Sequence, residues 1–204
     1  MEGLLVKEQD QIVITKSIGL SGTYALVKER YEQLHQRYSC DFLEPVYEYE
    51  KEFSLEPEYE VLEMQQWSAC VEASYGGIFG ALFRLGYDSG LGLRVDLQSI
   101  PIRQQVIEVS EFFQVNPYLL HSGGSMVIAC SNGQRLCEAL RQKGVPAVIA
   151  GNMTKEKARI VCVEEEERFL TPPRRDALLS CFEETYVKEN FPKTIQCRNR
   201  DEES

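Results

Sequence analysis

The chain has 204 residues, a formal charge of −10 and 43% hydrophobic residues, so it is long enough to bury a substantial core in one domain. That charge repels phosphate backbones and anionic lipid, the lysines and arginines are scattered, and no apolar run approaches the ~20 residues of a membrane span; nucleic-acid and membrane partners are therefore not expected. Seven cysteines with no CxxC pair and no matching histidine spacing argue against a zinc site or a disulfide framework. The opening MEGLLVKEQD lacks the basic and apolar regions of a signal peptide, and a reduced, cytoplasmic location is the expectation.

Residues 10–15, DQIVIT, read as a short strand. A glycine-spaced turn, Ser17 to Gly22, leads into a helix on which Tyr24, Val27, Tyr31 and Leu34 recur at helical spacing. Residues 40–60 mix Glu, Tyr, Pro and Phe without a sustained period, which leaves a long excursion or an irregular strand pair. QWSACVE then predicts a strand, followed by a polar loop and a helix carrying Ile78, Leu82, Phe79 and Phe83 at i,i+4 spacing. Leu91, Leu93, Val95 and Leu97 alternate with Gly92, Arg94 and Asp96 as in a half-buried strand.

Residues 103–113 predict a helix with Val106, Val109 and Phe113 on one face. HSGGSMVIAC is a glycine-rich loop and an apolar strand; the helix after it starts near Ser131 or Asn132 and stops at Gly144, with Pro146 behind. PAVIAG and ARIVCV predict strands, Glu164 to Glu167 a solvated turn, and Leu178, Phe182 and Tyr186 a final helix. The mixture, with strands close together near the C-terminus, predicts an α+β fold with a mixed β-sheet covered by helices. The expected boundaries are an N-terminal extension over 1–9, one domain over 10–192 and a flexible tail over 193–204.

Two loops are suited to an anion. In Glu72-Ala73-Ser74-Tyr75-Gly76-Gly77 the paired glycines open a helix, whose free amides and positive dipole end favour phosphate; Ser74 and Tyr75 add hydroxyls. A tight packing joint is the competing explanation, because the spacing is neither a Walker motif nor GxGxxG. Ser122-Gly123-Gly124-Ser125 precedes a strand and lacks dipole support. His121 and His35 have no positioned partner in the sequence and read as packed or surface residues. No GxSxG or cysteine signature is present, so no catalytic residue and no metal ligand is assigned. Phe42, Tyr47, Tyr49, Phe53 and Tyr59 are many aromatics for a solvated loop, and predict either association or a segment folded back on its own chain.

In order, these segments resemble the C-terminal domain of the aminoimidazole-ribonucleotide (AIR) synthetase-related superfamily, nearest its hydrogenase-maturation-factor-like branch. The resemblance rests on Glu72 to Gly77, Gly92-Leu93-Arg94-Val95-Asp96, Ile100-Pro101-Ile102, FFQVNPYLLHSGGSMVIAC, AGNMT and Gly19-Leu20-Ser21-Gly22-Thr23, and spans most of residues 10–180. Glu72 stands where the family has aspartate, Ser74 where it has threonine, and Tyr75 where charged residues are usual. The resemblance implies a partly ferredoxin-like α+β fold and a loop that helps hold a phosphorylated substrate between two domains. It also implies that most of an ATP and magnesium site belongs to an N-terminal domain. The expectation is therefore a non-catalytic binding or regulatory module with an anion or nucleotide-like pocket and no cofactor of its own. The alternative is one half of a split enzyme, with ATP-dependent ligase or kinase-type chemistry only alongside a separate N-terminal-domain chain. Expected partners are a second copy or that chain, and a phosphorylated small molecule.

Overall fold

The computed structural model describes residues 6–191 and the backbone of 197–199. Its sheet has eight strands in the order β7-β6-β3-β5-β1-β4-β2-β8. They are β1 (Gln11–Thr15), β2 (Ala69–Glu72), β3 (Gly92–Asp96), β4 (Met126–Cys130), β5 (Ala147–Thr154), β6 (Arg159–Val163), β7 (Glu166–Phe169) and β8 (Cys197–Asn199). Neighbours pair antiparallel except β3 and β6, which run parallel with Leu93 opposite Arg159. The sheet is thus mixed and the fold α+β, as the sequence predicts. Of the tail expected over 193–204, residues 193–196 and 200–204 lie outside the described residues.

β1 lies at the centre of the sheet and is buried on both faces. Ile12 and Ile14 point to one face, where they meet Leu82 and Leu85 of helix α5 (Gly77–Ser89). Val13, between them, points to the other, where α4 (Glu56–Met64) and α7 (Gly133–Gln142) lie. This is the period of two in a strand set against the 3.6 of a helix. Asn132 caps α7, its Oδ1 accepting from the Arg135 amide at 3.0 Å, which fixes the start the sequence predicts. A third cluster lies beyond the sheet, among α1 (Leu20–Glu29), α2 (Tyr31–Leu34), α3 (Cys40–Leu43), α6 (Gln104–Phe112) and α8 (Glu184–Asn190).

Residues 40–60 form neither strands nor an open excursion. After α3 the chain continues as a 3-10 helix over Glu44–Glu52, then enters α4. Leu43, Val46 and Tyr49 are buried at intervals of three, the 3-10 repeat, which fits neither a period of two nor one of 3.6. The aromatics fold back on the chain: Tyr24 packs edge-on against Tyr47 and Phe53, at 6.3 and 5.6 Å. The final helix expected from Leu178 to Tyr186 is divided into a 3-10 turn, Ala177–Ser180, and α8. Of the four glutamates, Glu164 turns the chain with φ 53°, while Glu166 and Glu167 already belong to β7. No helix among the described residues is long and apolar enough to cross a membrane.

Candidate functional site

The two candidate loops meet. The Ser122 amide donates to the Ser74 carbonyl at 3.3 Å and the Ala73 amide to the Ser125 carbonyl at 2.9 Å. Gly76 and Gly77 both adopt left-handed backbone, φ 78° and 61°, which turns the chain from β2 into α5 within two residues. A Cβ on Gly77 would stand 2.5 Å from the Tyr118 carbonyl oxygen and 2.6 Å from that of Leu120, so this glycine is also a packing joint.

The amide end of α5 already holds an anionic group from its own chain. Asp176 is fully buried; its Oδ2 accepts from the Gly76 amide at 2.8 Å and its Oδ1 from Leu178 at 2.9 Å, with the His121 amide as a third donor. Burial pushes this carboxyl up to about 6, against the three amides that pull it down. The helix start thus behaves as an anion seat, as its dipole predicts, and a side chain a hundred residues away fills it.

The Ser122 and Ser125 hydroxyls and Glu72 are turned elsewhere. Ser122 is buried, accepting from the Gly19 amide at 2.8 Å and donating to the Leu120 carbonyl at 2.9 Å. Ser125 donates to the Ser17 carbonyl at 2.7 Å. Glu72 accepts from the Tyr59 hydroxyl of α4 at 2.7 Å, on the sheet face away from α5. Gly123 and Gly124 lie against His121 and the Glu52–Phe53 backbone respectively.

Next to the α5 start, with Pro173 packed on Gly76, opens a groove of about 930 Å³. Phe79 of α5 and Tyr118 form one wall, rings stacked at 5.1 Å and 9° apart. Asn116 holds Tyr118 in place, its Oδ1 accepting from the Tyr118 amide at 2.9 Å. Burial, and then the Asp96 carboxylate, push the Tyr118 phenol upward, so it stays a neutral hydroxyl. The opposite rim carries Arg168, Arg174 and Arg175, with Phe169 exposed at 77%. Arg168 pairs with Glu166 at 3.1 Å. Among the described residues no carboxylate lies within ion-pair distance of Arg174 or Arg175. Two guanidinium groups with no carboxylate partner among the described residues, lining the same groove as a stacked ring pair, suit a flat, anionic ligand.

None of the candidate residues named from the sequence lines this groove; Gly76 borders it only through Pro173. The arginines had a signal: Arg168, Arg174 and Arg175 fall within one short stretch, RFLTPPRR, of an otherwise acidic chain. Asp176 could be read from sequence only as a cap for the Leu178 amide; the Gly76 and His121 amides it also meets come from two distant loops.

Comparison with known proteins agrees with this architecture. The family profile described as AIR synthase related protein, C-terminal domain, matches residues 7–184. The carbamoyl dehydratase HypE of Azotobacter vinelandii is 30% identical over 93 residues, 44% of this chain and 27% of that protein. The crystal structure of E. coli HypE, a hydrogenase maturation protein, superposes with a TM-score of 0.71 at 18% identity, covering 87% of this chain and 54% of that one. A hydrogenase maturation protein HypE solved in complex with ATP superposes at 0.63 and 16% identity, covering 83% of this chain and 52% of that one. The chain therefore spans about half the length of those structures, and its matched segment about a quarter of the curated relative.

Proposed function

Because this chain belongs to the family of AIR synthase related protein C-terminal domains, we propose that it is a binding or regulatory module without catalysis of its own, taking a phosphorylated, nucleotide-like anion beside the α5 start. The observation that carries this reading is the pair of guanidinium groups, Arg174 and Arg175, without a carboxylate partner among the described residues, in a groove walled by Phe79 and Tyr118, on a chain of charge −10. Guanidinium forks match phosphate oxygens bidentately, and the ring pair offers a face for a base. The loop Ser74 to Gly77 borders the groove through Pro173, and Ser122 to Ser125 buttresses that loop from behind. A phosphate can sit at the rim arginines with Asp176 in place, or take the amide seat if Asp176 leaves it. A HypE of the same fold has been solved with ATP, which makes an adenine nucleotide the first ligand to try.

Titration calorimetry with AMP, ATP and inorganic phosphate tests this. Nucleotide binding should weaken with salt and fall about tenfold or more in the double variant Arg174→Ala/Arg175→Ala; equal affinity in that variant rejects the groove as the site. Pure protein incubated with ATP should release no phosphate.

A second reading has its own observation. The chain spans about half the length of the HypE structures, and Phe169 and Val163 stand exposed on the groove rim. Here the domain is half of a split ATP-dependent enzyme, completed by a separate N-terminal-domain chain, or it pairs with a second copy. Light scattering separates a monomer from a dimer, and ATP turnover appearing only on mixing with such a chain favours the split enzyme. The cytoplasm is the proposed location.

A further inference from the structure

A second cavity, of about 340 Å³, is lined by residues of α1 and α8 and by Gly123 of the Ser122 to Ser125 loop. It is lined by the rings of Tyr24, Phe53, Tyr186 and Phe191 together with His121. His121 is 7% exposed, with Phe191 edge-on to it at 4.7 Å. A hydrogen bond at its other nitrogen sets its tautomer. Gly123 donates its amide to Nδ1 at 3.3 Å, and an amide can only donate, so Nδ1 carries the lone pair. Ser21 Oγ lies 2.7 Å from the same nitrogen and donates to the His121 carbonyl at 3.1 Å, so its single proton does not decide the tautomer. The Gly123 contact places the ring proton on Nε2, where no described residue accepts it. Burial lowers the ring to about 4 and keeps it neutral at ordinary pH, an uncharged, fixed-direction donor.

The Ser21–His121 contact is not a nucleophile and base. A ring that protonates near 4 is a weak base at neutral pH, and no described carboxylate orients Nε2. Binding fits these groups better than turnover. Among the described residues the lining holds one cation, Lys28, whose Nζ lies 5.5 Å over the Tyr24 ring, and no carboxylate. The volume is at the small end for ligand sites.

We infer that this cavity binds a small, flat aromatic carboxylate: the ring between Tyr24, Phe53 and Phe191, a ring acceptor on His121 Nε2–H, and the carboxylate at Lys28. It is independent of the arginine groove, and takes a ring acid without phosphate.

The test uses the full-length chain, labelled at the histidine ring nitrogens, with pyridine-3-carboxylate as the probe. Nitrogen spectra should first show His121 as the Nε2–H tautomer. Adding the probe should shift that resonance saturably, with benzoate binding more weakly for lack of a ring acceptor and pyridine-3-carboxamide more weakly for lack of charge. Lys28 is exposed, so Lys28→Ala should stay folded and lose about tenfold in affinity. Arg174→Ala/Arg175→Ala should leave this titration unchanged, which separates failure here from failure at the groove. An Nδ1–H tautomer, no saturable shift at millimolar probe, or full affinity in Lys28→Ala would each overturn the assignment.

Discussion

Asp176 and His121 titrate in one pH window with opposite effects on stability. The Asp176 carboxyl is raised from 3.8 to about 6 by burial, so the fold holds this proton more tightly than the unfolded chain does. Its stabilising contribution is complete below 3.8 and is lost as pH rises through 6. The His121 ring is lowered from 6.5 to about 4, also by burial, so the fold resists protonation there. Its contribution is complete above 6.5 and is lost as pH falls through 4. At 1.36 kcal/mol per pH unit each integrates to about 3 kcal/mol, with opposite signs, so the two nearly cancel in the native protein. Asp176→Asn removes one side of the balance. Its unfolding free energy should rise by about 3 kcal/mol between about pH 4 and 6.5 relative to wild type. A constant penalty of about 1–3 kcal/mol is superimposed, because an amide has a single oxygen for amides that now meet two, and so the slope is the measurement. Urea unfolding is read from the sole tryptophan, Trp67, whose Nε1 donates to the Leu62 carbonyl at 3.0 Å in the core. Parallel stability curves for wild type and Asp176→Asn would refute the reasoning.

The buried pair Lys16–Glu58, at 2.9 Å with both side chains more than nine-tenths buried, should cost about 3–5 kcal/mol when Glu58→Gln leaves the ammonium unpaired. Replacing both partners with apolar residues should cost less, and urea midpoints compare the two. Gly77→Ala forces a Cβ to within 2.6 Å of two carbonyl oxygens and should destabilise by more than about 3 kcal/mol, whereas Gly90→Ala, with equally positive φ but nothing within 4 Å, should cost about 1–2 kcal/mol. Iodoacetamide at pH 8 should label the half-buried Cys40 and spare Cys130, which is fully buried with its thiol pushed up to about 12; peptide mapping reads the order.

Wherever a segment makes its own periodicity, the sequence by itself determined the outcome. The alternating Leu93 and Val95, the i,i+4 pairs of α5 and the Asn132 start of α7 were legible because each depends on neighbours within a few residues. The order of motifs, read as a family resemblance, supplied the α+β class and the mixed sheet. The 3-10 stretch was missed because its repeat of three is seldom sustained long enough to look for. The tertiary structure alone decided what the helix start does. Local sequence places two glycines at the head of α5 and so predicts converging amides. Whether solvent, a ligand or a buried side chain occupies them depends on a segment a hundred residues later returning with Asp176. The same return brings Arg174 and Arg175 opposite Phe79 and Tyr118, and lays α8 against His121 to close the second cavity. Such convergence leaves no periodic trace in a linear sequence, because nothing in one segment's own burial pattern depends on which distant backbone it will meet.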